Sequence, residues 1–81
     1  MDEKAIRLLV EINQTASNFT SSIVLRVGNK FIDVKSIVGL SLTLMTSQGF
    51  ALEIYGPDED AAKLAMVQIF KKHGISVNVN P

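Results

Sequence analysis

Three features of the 81-residue chain predict an α+β fold in which one β-sheet is covered on one face by helices. Apolar residues alternate at a period of two in several short stretches, which is the signature of half-buried strands. Two other stretches repeat apolar residues every three or four positions, and a third apolar run follows a serine able to cap it. Turn residues separate these segments in the order α-β-β-α-β-α-β. Three short helices and four short strands pack most economically as one layer of helices on one sheet. The length suits a single domain over 1–81, since two cores could not be built from so few residues.

The first helix is predicted over residues 3–17. Ala5, Leu8, Leu9, Ile12 and Ala16 form its apolar stripe, with Arg7, Glu11 and Gln14 off it. Phe19 is expected to close that face against the core, and residues 15–22 read as a polar exit loop. Ile23, Leu25 and Val27 alternate with Val24 and Arg26 in a strand. Gly28-Asn29 then leads into Lys30-Phe31-Ile32-Asp33-Val34. A two-residue loop that begins with glycine suits a type II′ hairpin.

A second helix is predicted from Ser36 to Met45. The Ser36 hydroxyl can cap it, and a phosphate there would meet the free amides and positive end of the helix dipole, with Lys35 alongside. Residues 50–55 read as a third strand, with Phe50, Leu52 and Ile54 on one face. Gly56-Pro57 ends it. The third helix, 58–73, has Asp58, Glu59 and Asp60 in its first turn and Lys71, Lys72 and His73 in its last, matching the dipole at both ends. Ala62, Ala65, Met66, Ile69 and Phe70 form its buried face, and Gly74 suits the C′ position. Residues 75–80 alternate again and predict a final strand.

Composition limits the functions open to such a domain. Eight basic and eight acidic residues cancel, and no basic block or aromatic series marks a nucleic-acid surface. The absence of cysteine rules out disulfides and thiolate metal sites. Met1-Asp2-Glu3-Lys4 does not open a secretion signal, and the run Ile37–Met45 is too short to span a bilayer. The expectation is a cytoplasmic protein without membrane contact. No phosphate loop, nucleophile elbow or metal-ligand spacing is present, so no catalytic residue, metal or cofactor is expected and the chain is read as not an enzyme. The acidic residues 58–60 read as capping and solvation, and His73 as a surface residue that complements the helix dipole.

The segments Gln14-Thr15-Ala16-Ser17-Asn18-Phe19, Gly28-Asn29-Lys30, Val34-Lys35-Ser36-Ile37-Val38-Gly39-Leu40 and Gly56-Pro57-Asp58-Glu59 resemble HPr, the phosphocarrier protein of the bacterial phosphotransferase system. The resemblance spans roughly residues 5 to 74, and Lys-Ser-Ile-x-Gly is its most specific part. It implies an HPr-like open-faced β-sandwich, a four-stranded sheet with three helices on one face. HPr opens with a strand and carries its phosphoryl group on a histidine at the start of the first helix. Counting back from Phe19, that histidine position holds Ala5 and the family's arginine position holds Arg7. The resemblance therefore implies a divergent member, not itself a histidine phosphocarrier, with His73 at the wrong end of a different helix to substitute. The first strand is missing as well, and the tail strand is expected to run parallel to residues 50–55 in its slot; a rival expectation is a homodimer paired through that strand.

By the same resemblance Ser36 is the candidate for regulatory phosphorylation. Arg7, Lys35, Ile37, Val38 and Leu40 are candidate contacts for phosphate or partner. The implied partners are HPr kinase/phosphorylase and the catabolite control transcription factor, or other phosphotransferase components. Two alternatives stand beside this regulatory reading: a structural or oligomerisation domain without phosphorylation, and a phosphocarrier-like partner of phosphotransferase components.

Overall fold

The computed structural model describes residues 3–36 and 49–81. The helix expected behind Ser36 therefore lies outside the described residues, as do Ile37, Val38 and Leu40. The described elements are helix α1 (Glu3–Ala16), strands β1 (Ser22–Val27), β2 (Lys30–Asp33) and β3 (Phe50–Tyr55), helix α2 (Glu59–Lys72) and strand β4 (Val77–Val79).

The sheet order is β2-β1-β3-β4. β1 runs antiparallel to β2 and β3, while β4 runs parallel to β3, so the sheet is mixed. Pairing follows the alternation in the sequence. Leu25 stands opposite Leu52, and Ile23 opposite Ile54, all four on the helix-covered face. Arg26 lies between Phe31 and Ala51 on the other face, which neither described helix covers.

Both helices pack on one side of the sheet and share one core. Leu8, Leu9, Ile12 and Ala16 of α1 meet Ala62, Met66, Ile69 and Phe70 of α2 over the inward residues of β1 and β3. The helix-period stripes read from the sequence are the buried ones, apart from Ala5 and Ala65, which are half-buried. Phe50 and Phe70 tilt against each other at 6.4 Å between ring centres.

Turn chemistry places the elements as the sequence predicts. Gly28 has φ +58°, and no described non-glycine residue has positive φ, so positive φ in the β1–β2 loop falls on its first residue, as a type II′ turn requires. α2 ends in a Schellman motif. The Ile75 amide donates to Phe70 O at 2.9 Å and the Gly74 amide to Lys71 O at 3.0 Å, with Gly74 left-handed at φ +75°. This turn sends the chain back along the sheet as β4.

The tail pairs within the chain, with Phe50 opposite Val77 and Leu52 opposite Val79. Asn80 extends it by a side chain that imitates backbone. Its Oδ1 accepts from the Ile54 amide at 2.7 Å, and its Nδ2 donates to Ile54 O at 2.9 Å.

The connection between α1 and β1 departs from expectation. Read as a polar loop, it contains Ser21, which is buried at 1% exposure. Asp58 is also not the simple cap that its position suggested. It precedes α2 without a side-chain bond to that helix. Its carboxylate instead accepts the amides of Thr20 at 3.0 Å and Ser21 at 2.9 Å, and the Ser21 hydroxyl. Glu59 Oε1 accepts the Gly56 amide at 3.2 Å, closing the turn that leads into α2. A serine buried by this knot has its polar needs met, which is why it can be buried at all.

Candidate functional site

Ser36 is exposed at the end of a turn fixed from three sides. Its amide donates to Asp33 O at 2.9 Å, closing the turn. The Asp33 side chain accepts the Lys35 amide at 2.9 Å, two residues on, in the manner of an Asx turn. From α1, Asn13 Nδ2 donates to Lys35 O at 2.9 Å.

Lys35 itself is anchored. Its Nζ donates to Phe19 O at 2.9 Å and Ser21 O at 3.1 Å, so the ammonium supports the α1–β1 connection from beneath the turn. The sequence placed Lys35 beside Ser36 correctly but did not show where its charge goes. Arg7 is not gathered into this cluster by any described bond. Its guanidinium pairs with Glu3 at 2.8 Å, with both side chains largely exposed. It lies six residues before Asn13, about 9 Å along the helix and on another face.

A second polar cluster was not anticipated. Glu11, in the middle of α1, accepts from Lys72 Nζ at 3.0 Å and lies 3.0 Å from His73 Nε2 at the end of α2. These bonds, that to His73 foremost, hold the Glu11 carboxyl below its usual pKa of 4.5. His73, Lys72, Lys4, Ala5 and Leu8 together line a cleft of about 310 Å³. His73 stands at the end of α2, a different helix from that of Ala5. The Schellman turn and the packing of α1 on α2 bring the two residues to one cleft. Nothing local in the sequence signals this, since Glu11 and His73 are 62 residues apart.

Among the described residues no group of His, Cys, Asp and Glu could hold a metal ion. No described helix is long and apolar enough to cross a membrane.

The family model for the PTS HPr component phosphorylation site matches residues 5–72. The chain belongs to the HPr family. A comparison with curated protein sequences finds no match. Among solved structures, the chain is similar to the HPr dimer from Thermoanaerobacter tengcongensis, with 35% identity and a TM-score of 0.73, covering 82% of this chain and 77% of that one. It is also similar to Crh, the Bacillus subtilis catabolite repression containing protein described as a domain-swapped dimer: 28% identity, TM-score 0.67, 90% and 80% covered. The Mycoplasma histidine-containing phosphocarrier protein shares the fold, with 24% identity, TM-score 0.69, and 86% and 82% covered. Proteins of the HPr family are phosphocarriers of the phosphotransferase system and not enzymes. In this chain the family match begins on Ala5, a residue with no nitrogen in its side chain.

Proposed function

We propose that this HPr-family protein is a regulatory binding module of the bacterial phosphotransferase system, one that is not phosphorylated at the family's histidine position and is switched by phosphorylation of Ser36. The observation that carries this reading is the presentation of Ser36, exposed on a turn whose neighbouring groups are already satisfied. A kinase can reach such a hydroxyl without unpairing anything beneath it. The phosphate adds about two negative charges to a preformed surface. Lys35 serves as the anchor of that turn, and Arg7, whose ion pair among the described residues is with an exposed Glu3, can turn towards a partner.

By family resemblance the modifying enzyme is HPr kinase/phosphorylase and the reader is the catabolite control transcription factor. Ile37, Val38 and Leu40 supply the apolar part of the docking surface in this proposal. The likeness to Crh, a protein named for catabolite repression, supports this choice over a sugar-transport partner. The protein then works in the cytoplasm, where both partners reside. Within the same reading, β4 takes the slot of the family's first strand.

The test is phosphorylation by HPr kinase with labelled ATP. The intact protein is expected to take one phosphate and the Ser36→Ala variant none. Undiminished labelling of Ser36→Ala would refute the assignment.

The dimers named for two of the similar structures favour one alternative, an assembly domain that keeps the fold and lacks the switch. Sedimentation over a range of concentrations separates the two, because that alternative requires a dimer that is indifferent to Ser36.

A further inference from the structure

We propose that Asn13, on α1, is a positioning residue for the phosphorylation of Ser36: it clamps the peptide plane that leads into Ser36, so that the kinase meets the serine already in place. This inference rests on the reading of Ser36 as the switch and adds the residue that governs its presentation.

The peptide unit between Lys35 and Ser36 is held at both ends. Its C=O belongs to Lys35 and its N–H to Ser36, and in a planar trans unit the two point in opposite directions. The Ser36 amide donates to Asp33 O at 2.9 Å, and Asn13 Nδ2 donates to Lys35 O at 2.9 Å. One bond alone leaves the plane able to swing about that bond. Two opposed bonds fix it, and with it the direction in which the exposed Ser36 side chain sets out.

The bonds differ in origin. The bond to Asp33 O lies within the turn, as does that of the Lys35 amide to the Asp33 side chain at 2.9 Å. The Val34 amide ties the start of the turn to β1, through Ile23 O at 3.1 Å. The Asn13 bond instead crosses 22 residues and ties the far end of the turn to α1. Lys35 Nζ also reaches outside, to Phe19 O and Ser21 O, but it holds the end of a flexible side chain and not the peptide plane. Among the described residues, Asn13 is the one group outside the turn that is bonded to this peptide unit.

The residue type fits the role. Asparagine is a weak helix former, because its side chain competes for nearby backbone groups. Here it stands within α1, half-buried, and its amide serves a distant carbonyl. Leucine has a similar shape and a stronger helix propensity but nothing to donate.

The consequence is kinetic. A kinase that binds the formed turn sees an affinity reduced by the fraction of molecules in which the turn is open. Without the Asn13 bond that fraction grows and KM rises. Once bound, the turn is the same, so kcat does not change.

The test measures phosphorylation of the full chain by the same kinase for wild type, Asn13→Leu and Asn13→Asp, well below their melting temperatures. Circular dichroism establishes that the variants fold. Loss of one hydrogen bond is expected to raise KM for the protein about threefold at unchanged kcat, and to speed exchange of the Ser36 amide, read by NMR, about fivefold. A purely structural role lowers Tm and leaves KM where it is. The wild type supplies a measurement that needs no variant: an Asn13 side-chain amide proton is expected to exchange more slowly than those of the neighbouring, exposed Gln14. A wild type that takes no phosphate overturns the Ser36 reading and this inference with it. A labelled wild type overturns this inference alone if KM or Ser36 exchange is unmoved in the variants, if kcat falls in place of a rise in KM, or if Asn13 and Gln14 exchange alike.

Discussion

Asp58 shows how one side chain can join distant segments of a small domain. Its carboxylate accepts two amides and a hydroxyl from Thr20 and Ser21, and these bonds, the Ser21 hydroxyl first, lower its pKa from 3.8 to about 2. A depressed folded-state pKa contributes stability above the unfolded value, and the contribution is lost as pH falls through the folded value. For Asp58 that window runs from pH 3.8 down to about 2. Glu11 and Glu59 are shifted in the same direction, so they add to the acid sensitivity below 4.5. Asp58→Asn is expected to unfold more readily than the wild type at neutral pH, with the difference narrowing towards pH 2. Thermal unfolding followed at several pH values checks this, and a difference that does not change with pH would contradict it.

The sequence named Asp58 but not its partner. Acidic residues before an apolar helix normally serve that helix, and a local reading stops there. The bonds to Ser21 span 37 residues, and no periodicity reports a contact of that kind. Glu11 escaped notice for the same reason. By contrast, Ser36 was visible because its signal is local: a serine directly before an apolar run.

At the scale of elements, the turns were the most legible parts. Gly28-Asn29 and Gly74 are local instructions, and each is obeyed with the expected backbone sign. Gly56 is a different case. It reads as a strand breaker, yet its role comes from close packing. A Cβ built on it would lie 2.5 Å from Ser21 Oγ and 2.6 Å from Ser21 Cα, and its φ is +152°. Gly56→Ala must therefore move backbone and is expected to cost about 1–3 kcal/mol from strain alone. For a chain of this size that lowers Tm by at least about 4 °C. A thermal melt within a degree of the wild type would show that the knot relaxes freely.

Asn80 offers a parallel test on the other edge of β3. Asn80→Ala leaves the amide and carbonyl of the buried Ile54 without their side-chain partners. The expected loss is about 1–3 kcal/mol, measured by urea unfolding.

For the molecule as a whole, the α+β class and the single core followed from period alone, because half-buried strands and amphipathic helices reveal their inward faces. The tail needed more than period. Its alternation predicted a strand, but only the bareness of the β3 edge suggested where it pairs. The structure places it there, over Val77–Val79, shorter than the expected 75–80 because Ile75 is used by the Schellman turn. The sequence predicted a sheet with helices on one face only, but it did not show that Phe31 would stand exposed on the other. Exposure across a sheet depends on which strands lie side by side, not on the order of residues within one.

The regulatory account proposes that Ser36, exposed on its turn, is the switch of this HPr-family protein. Its most direct test is the affinity of the catabolite control transcription factor for this protein with and without phosphate on Ser36, measured by titration in solution at one salt concentration. The account predicts binding at least about tenfold tighter for the phosphorylated form, equivalent to about 1.4 kcal/mol. Equal affinity of the two forms would contradict it.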